Sequence, residues 1–202
     1  MKRDKIINVV VTATRTRPGI DSKFLNMTFM TNESDVKDLY IEFTDVDISE
    51  ALDTEFGKDA YNSLKYKQHD EIDLTIEEYN LRSVKKHNRE LYHIVRDHLA
   101  SIVEDNNAQL LMWVNDITIW EKFLLEFFEI NTEGLIEFPI HDISLTPIDV
   151  GTLFRLPYIR KESEHKTIQD ANEIMGITDN MTVNSLSEAA FITNLLKSHK
   201  WI

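Results

Sequence analysis

The chain has 202 residues with 42% hydrophobic and 28% charged content, which is ordinary for a globular protein and long enough for one full core spanning 1–202. The formal net charge of −13 at pH 7 works against attraction to phosphate backbones. The absence of cysteine excludes disulfides, thiolate-held zinc and a cysteine nucleophile.

Residues 5–14 predict a buried strand, because Ile6, Ile7, Val9, Val10 and Val11 are β-branched and nearly continuous. Its apolar stretch is too short for a secretion signal, and no run reaches the roughly 18 residues of a membrane helix. A cytoplasmic protein without a membrane partner is therefore expected. Residues 24–30 predict a second strand. Residues 36–44 predict a third, with Leu39, Ile41 and Phe43 alternating against Tyr40 and Glu42. Short turns between them imply an antiparallel meander. A short amphipathic helix is expected near 48–56 and a polar connector over 68–73. A long helix is expected over 77–104, from the spacing of Leu91, Ile94, Val95, Leu99, Ile102 and Val103. An apolar strand over 108–114 and an apolar helix over 120–130 follow. After them come a strand near 140–145, a helix near 148–156, a charged loop over 158–166, and helices over 167–175 and 184–198. In the last helix Leu186, Ala189 and Ala190 are expected on the buried face. The order implies an α/β fold, with a mixed sheet of antiparallel meander plus parallel strands flanked by helices.

Four local patterns sharpen this reading. They are Leu39-Tyr40-Ile41-Glu42-Phe43-Thr44-Asp45; Trp113 followed by an apolar helix opening at Trp120; Ile148-Asp149-Val150-Gly151-Thr152-Leu153-Phe154; and Asn184-Ser185-Leu186-Ser187-Glu188-Ala189. In this order they resemble the ribonuclease H-like (DEDDh-type) 3′–5′ exonucleases, in particular small phage and bacterial exoribonuclease-like proteins. The resemblance covers almost the whole chain and implies a ribonuclease H-like fold.

The resemblance also implies a chemistry. Such enzymes hold two divalent metals with four carboxylates, and a histidine activates the attacking water. Their first strand ends Asp-x-Glu, a spacing that aims both carboxylates from one face. Here that position reads Thr12-Ala13-Thr14. Hydroxyls do not replace anionic oxygen around a hard dication. The second-motif aspartate falls at Trp120, or at Asp116 if the register is displaced by four residues. The last motif is normally His-Asn-Ala-Leu-x-Asp-Ala; Val183 stands at the histidine and Glu188 at the aspartate. Valine is no general base. The implied catalytic positions Thr12, Thr14, Trp120, Val183 and Glu188 are thus degenerate. No cofactor is expected, and Mg²⁺ or Mn²⁺ enters only if a rearranged site is built from Asp116, Asp142, Asp149 and Glu188.

Other groups are read as ordinary. His87, His93 and His98 fall on the long predicted helix, but the last two are five apart, one too many for a shared face. His141-Asp142 lacks further ligands. Lys85-Lys86-His87-Asn88-Arg89 reads as a solvated face, and Trp113, Trp120, Phe123, Phe127 and Phe128 read as core. Three functions follow. One is a binding protein on a dead nuclease scaffold, acting on a protein partner as inhibitor or regulator. Another is a pseudonuclease that still holds nucleic acid along Arg15, Arg17 and Arg160-Lys161. The third is an active exonuclease with the rearranged site.

Overall fold

The computed structural model describes residues 6–16, 23–44, 48–103, 107–112, 120–124, 143–150, 184–198, 200 and 202. The meander forms as expected. β1 (Ile6–Arg15) pairs antiparallel with β2 (Phe24–Thr31), and β2 pairs antiparallel with β3 (Asp38–Phe43). β6 (Asn107–Met112) lies parallel to the other side of β1, and β7 (Ile143–Asp149) lies parallel to β6. Pro147 in β7 is tolerated because the strand is at a sheet edge and its register slips between Gln109 and Leu111 of β6.

Three expectations are corrected. Residues 77–86 are not the start of a long helix. β4 (Ile72–Ile76) and β5 (Leu81–Lys86) form an antiparallel hairpin, and α3 begins only at Asn88 (Asn88–Val103). The hairpin turns through Asn80, whose φ of 49° and ψ of 40° are left-handed and whose side-chain amide donates to the carbonyl of Val36 at 2.8 Å. Asn80 therefore interrupts the helical run that the periodicity suggested. The helix near 48–56 is two helices, α1 (Ile48–Leu52) and α2 (Glu55–Asn62), the second capped by Thr54 accepting from the Gly57 N–H at 2.9 Å. β7 runs on to Asp149, where a helix was expected to have begun.

The seven strands among the described residues belong to one mixed sheet, in the order β4-β5-β3-β2-β1-β6-β7. Each face buries a different set. Val9, Val11 and Ala13 of β1 join Met27, Phe29, Leu39 and Ile41 against Leu91, Val95 and Leu99 of α3, with Trp120 and Phe123 of the helical residues 120–124. On the opposite face Val10 and Leu111 meet Ala189, Ile192, Leu195 and Leu196 of α4 (Ser185–Ser198). Burial of each such aliphatic side chain contributes about 1.5–3 kcal/mol. Covering both faces explains why β1 reads as a continuous apolar run rather than an alternating one. No helix among the described residues is long and apolar enough to cross a membrane.

Candidate functional site

The face that carries α4 is polar beyond Val10. Residues two apart on a strand share a face, and the strand registers align them across neighbours. One row runs Thr12, Thr28, Tyr40, Ser83; the next runs Thr14, Asn26, Glu42, Lys85. Lys85 is half-buried; the other seven are buried, with Thr12, Asn26, Thr28, Tyr40, Glu42 and Ser83 fully so. Glu42 and Tyr40 thus do not alternate toward solvent. The Tyr40 hydroxyl donates to Glu42 Oε1 at 2.5 Å, and the backbone N–H groups of Lys65 and Tyr66 reach the same carboxylate at 2.6 Å and 3.1 Å. Burial, then the Glu42 charge, raise the Tyr40 pKa far above its ordinary value.

The start of α4 is fastened to this polar face. Asn184 caps the helix: its Oδ1 accepts from the Leu186 N–H at 2.9 Å, and its Nδ2 donates to the Ser63 carbonyl at 2.8 Å. Ser185 makes three contacts. Its N–H donates to Asn26 Oδ1 at 3.2 Å, its carbonyl accepts from the Thr12 hydroxyl at 2.6 Å, and its hydroxyl meets that of Thr28 at 2.7 Å. Asn26 Nδ2 is buried there with no hydrogen-bond partner among the described residues. Glu188, one helical turn on, is half-buried; burial of its carboxyl pushes the pKa up to about 7, and the charge of Arg15 at the end of β1 opposes that shift. At the same end of β1, Gly57 of α2 comes so close that an added Cβ would lie 2.3 Å from the Thr16 carbonyl oxygen.

The structure therefore brings Thr12 and Thr14 together with the beginning of α4, and sets Glu188 in the field of Arg15. It does not bring Trp120 to them. Trp120 is fully buried on the opposite face, stacked on Phe123 with centroids 5.3 Å apart and edge-on to Phe29. It packs as core, as its apolar company in the sequence suggested. Asp149 ends β7 in register with Met112, with β6 between it and β1. Trp113, Asp116, Asp142 and Val183 lie outside the described residues, as do Arg17, Arg160, Lys161 and the predicted helix over 167–175.

Among the described residues, the donor set around Thr12 is poor in the anionic oxygen that two hard dications need. It offers the hydroxyls of Thr12 and Thr14, the Asn26 side chain and the single carboxylate of Glu188, while the Glu42 oxygens are engaged by three donors. Among the described residues no three His, Asp or Glu side chains gather as a metal-holding group. Sequence reasoning missed Asn26, Thr28, Glu42 and Ser185. The available signal was that the polar positions of β1 and β2 are Thr and Asn rather than Lys and Glu, small hydrogen-bonding residues that suit a covered face.

No protein-family model, curated protein or solved structure matches this chain.

Proposed function

We propose that this chain is a catalytically degenerate relative of the ribonuclease H-like 3′–5′ exonucleases, and that it acts by binding a protein partner as an inhibitor or regulator. The strand order supports the kinship: the antiparallel β3-β2-β1 meander continues into parallel β6 and β7, with β1 interior to the sheet and α4 crossing its end. The observation that carries the loss of chemistry is the Thr12 hydroxyl bonded to the Ser185 carbonyl at 2.6 Å. The position that would hold a metal carboxylate is instead a fastening between sheet and helix, and Thr14 beside it is buried. The net charge of −13 favours a protein partner over nucleic acid. A cysteine-free chain suits a reducing cytoplasm, which belongs to the same reading.

The test is a paired assay on the purified chain. Single-stranded RNA and DNA are incubated with Mg²⁺ or Mn²⁺, and binding to the same oligonucleotides is followed by fluorescence anisotropy. The expected result is neither 3′-end shortening nor binding at physiological salt. Metal-dependent digestion that Glu188→Ala abolishes would establish the rearranged enzyme. Salt-sensitive binding without digestion would establish the pseudonuclease that holds nucleic acid.

A further inference from the structure

At the far edge of the sheet from β7, β4 is flanked by β5 on one side and, among the described residues, has no strand on the other. In an antiparallel pair half of each strand's backbone N–H and C=O groups point away from the partner, so β4 presents an unpaired row. Two devices that ordinarily blunt such an edge are absent from it: Ile72-Asp73-Leu74-Thr75-Ile76 contains no lysine or proline, and its register with β5 has no bulge. Ile72, Leu74 and Ile76 share one face, and Leu74 is 49% exposed. Asp73 points to the other face, where Arg82 of β5 grips its carboxylate with two hydrogen bonds of 2.8 Å and 3.0 Å.

The charges around this edge are of one sign. Residues 70–79 hold five acidic side chains and no basic one. Arg82 answers Asp73 and Lys37 answers Glu77, which leaves Asp70, Glu71 and Glu78 exposed at the two ends of the strand. We propose that the β4 edge is a docking site for an extended peptide segment of a partner, one that adds as a further strand, places an apolar side chain over Leu74 and carries lysine or arginine beside Asp70, Glu71 and Glu78. A second copy of this chain is the wrong occupant, because antiparallel self-pairing would bring two such acidic clusters together. This site is four strands, roughly 19 Å, from β1. It goes beyond the reading of the Thr12 region, and nuclease assays do not bear on it.

The probe is a fluorescein-labelled peptide of about seven residues alternating lysine and valine, long enough to cover a five-residue strand. Anisotropy should show saturable binding, and hydrogen exchange should show new protection of amides in residues 72–76. Leu74→Arg, an exposed position whose fold is checked by circular dichroism, should weaken binding by about tenfold or more, and so should Glu71→Lys with Glu78→Lys. A backbone N-methylated peptide of the same sequence should not bind. Equal binding of the methylated peptide, indifference to Leu74→Arg, or protection that appears only elsewhere would overturn the proposal. So would a concentration-dependent dimer that protects residues 72–76 without peptide, because the occupant would then be a second copy.

Discussion

Thr12 and Ser185 are 173 positions apart in sequence, yet the hydroxyl of one donates to the carbonyl of the other at 2.6 Å, with both residues fully buried. This contact joins the interior strand β1 to the last helix. It commits the Thr12 hydroxyl hydrogen to a backbone carbonyl inside the buried contact between sheet and helix.

Placing an Asp-x-Glu pattern at that point should harm the protein. Thr12→Asp with Thr14→Glu replaces two buried hydroxyls by carboxylates, one of them facing the Ser185 carbonyl oxygen. The pair should lose about 3–5 kcal/mol, the range for uncompensated buried charge. Thermal melts should show a lowered midpoint that millimolar Mn²⁺ does not raise. A midpoint restored by Mn²⁺ would mean that the site still binds metal and that its ligands were merely substituted.

Gly57 marks how tightly α2 closes on β1. A Cβ there would sit 2.0 Å from the Ala51 carbonyl oxygen and 2.3 Å from that of Thr16. Both obstacles are backbone, so relief requires moving α1 or β1. Gly57→Ala should cost about 1–3 kcal/mol in urea denaturation, although alanine is the better helix former. An unchanged or raised midpoint would show that α2 does not hold this position.

Glu188 should make stability depend on pH in an unusual direction. Its folded pKa of about 7 lies above the ordinary 4.5, so the folded state holds the proton more tightly than the unfolded one. Its contribution is fully present below about 4.5 and is lost as pH rises through about 7. Asp38, raised to about 6 by burial, titrates in an overlapping window. Glu188→Gln should therefore gain about 1–2 kcal/mol relative to the parent at pH 8 and nothing at pH 4, with half-burial reducing the full linkage value. Equal differences at both pH values would place the Glu188 carboxyl in solvent.

On α4 the weight of packing falls beside the expected place. Leu186 is half-buried, and Ala190 with it, whereas Ala189, Ile192, Leu195 and Leu196 are buried against Val10 and Leu111. Ser185, not Leu186, meets the sheet, because the polar rows of β1 and β2 take a hydroxyl and an N–H there. Leu186→Ala should cost only about 1 kcal/mol, while Ile192→Ala should cost about 2–5 kcal/mol. Chemical denaturation of the two variants side by side checks the ranking; a reversed order would mean the helix is rotated.

The sequence by itself determined the parts whose signal is local. Continuous β-branched residues marked β1, alternation marked β3, and the spacing of Leu91, Val95 and Leu99 marked the buried stripe of α3, because period two and period 3.6 arise from backbone geometry alone. That Thr12 and Thr14 carry no charge was equally plain. The hairpin of β4 and β5 was legible in part: Ile72, Leu74 and Ile76 alternate with Asp73 and Thr75, but Ser83 and Lys85 of β5 are polar where a core strand would be apolar. Lys85 is accommodated by the segment after α2, whose Tyr66 and His69 carbonyls accept from its Nζ, whereas the Ser83 hydroxyl is buried with no hydrogen-bond partner among the described residues. Only the tertiary structure decided that Tyr40 and Glu42 face inward, that Trp120 lies on the opposite side of the sheet from Thr12, and that the Thr12 hydroxyl is committed to Ser185. Whether a polar side chain meets water or a partner depends on which distant segment covers its face, and no spacing within a strand encodes a contact 173 residues away.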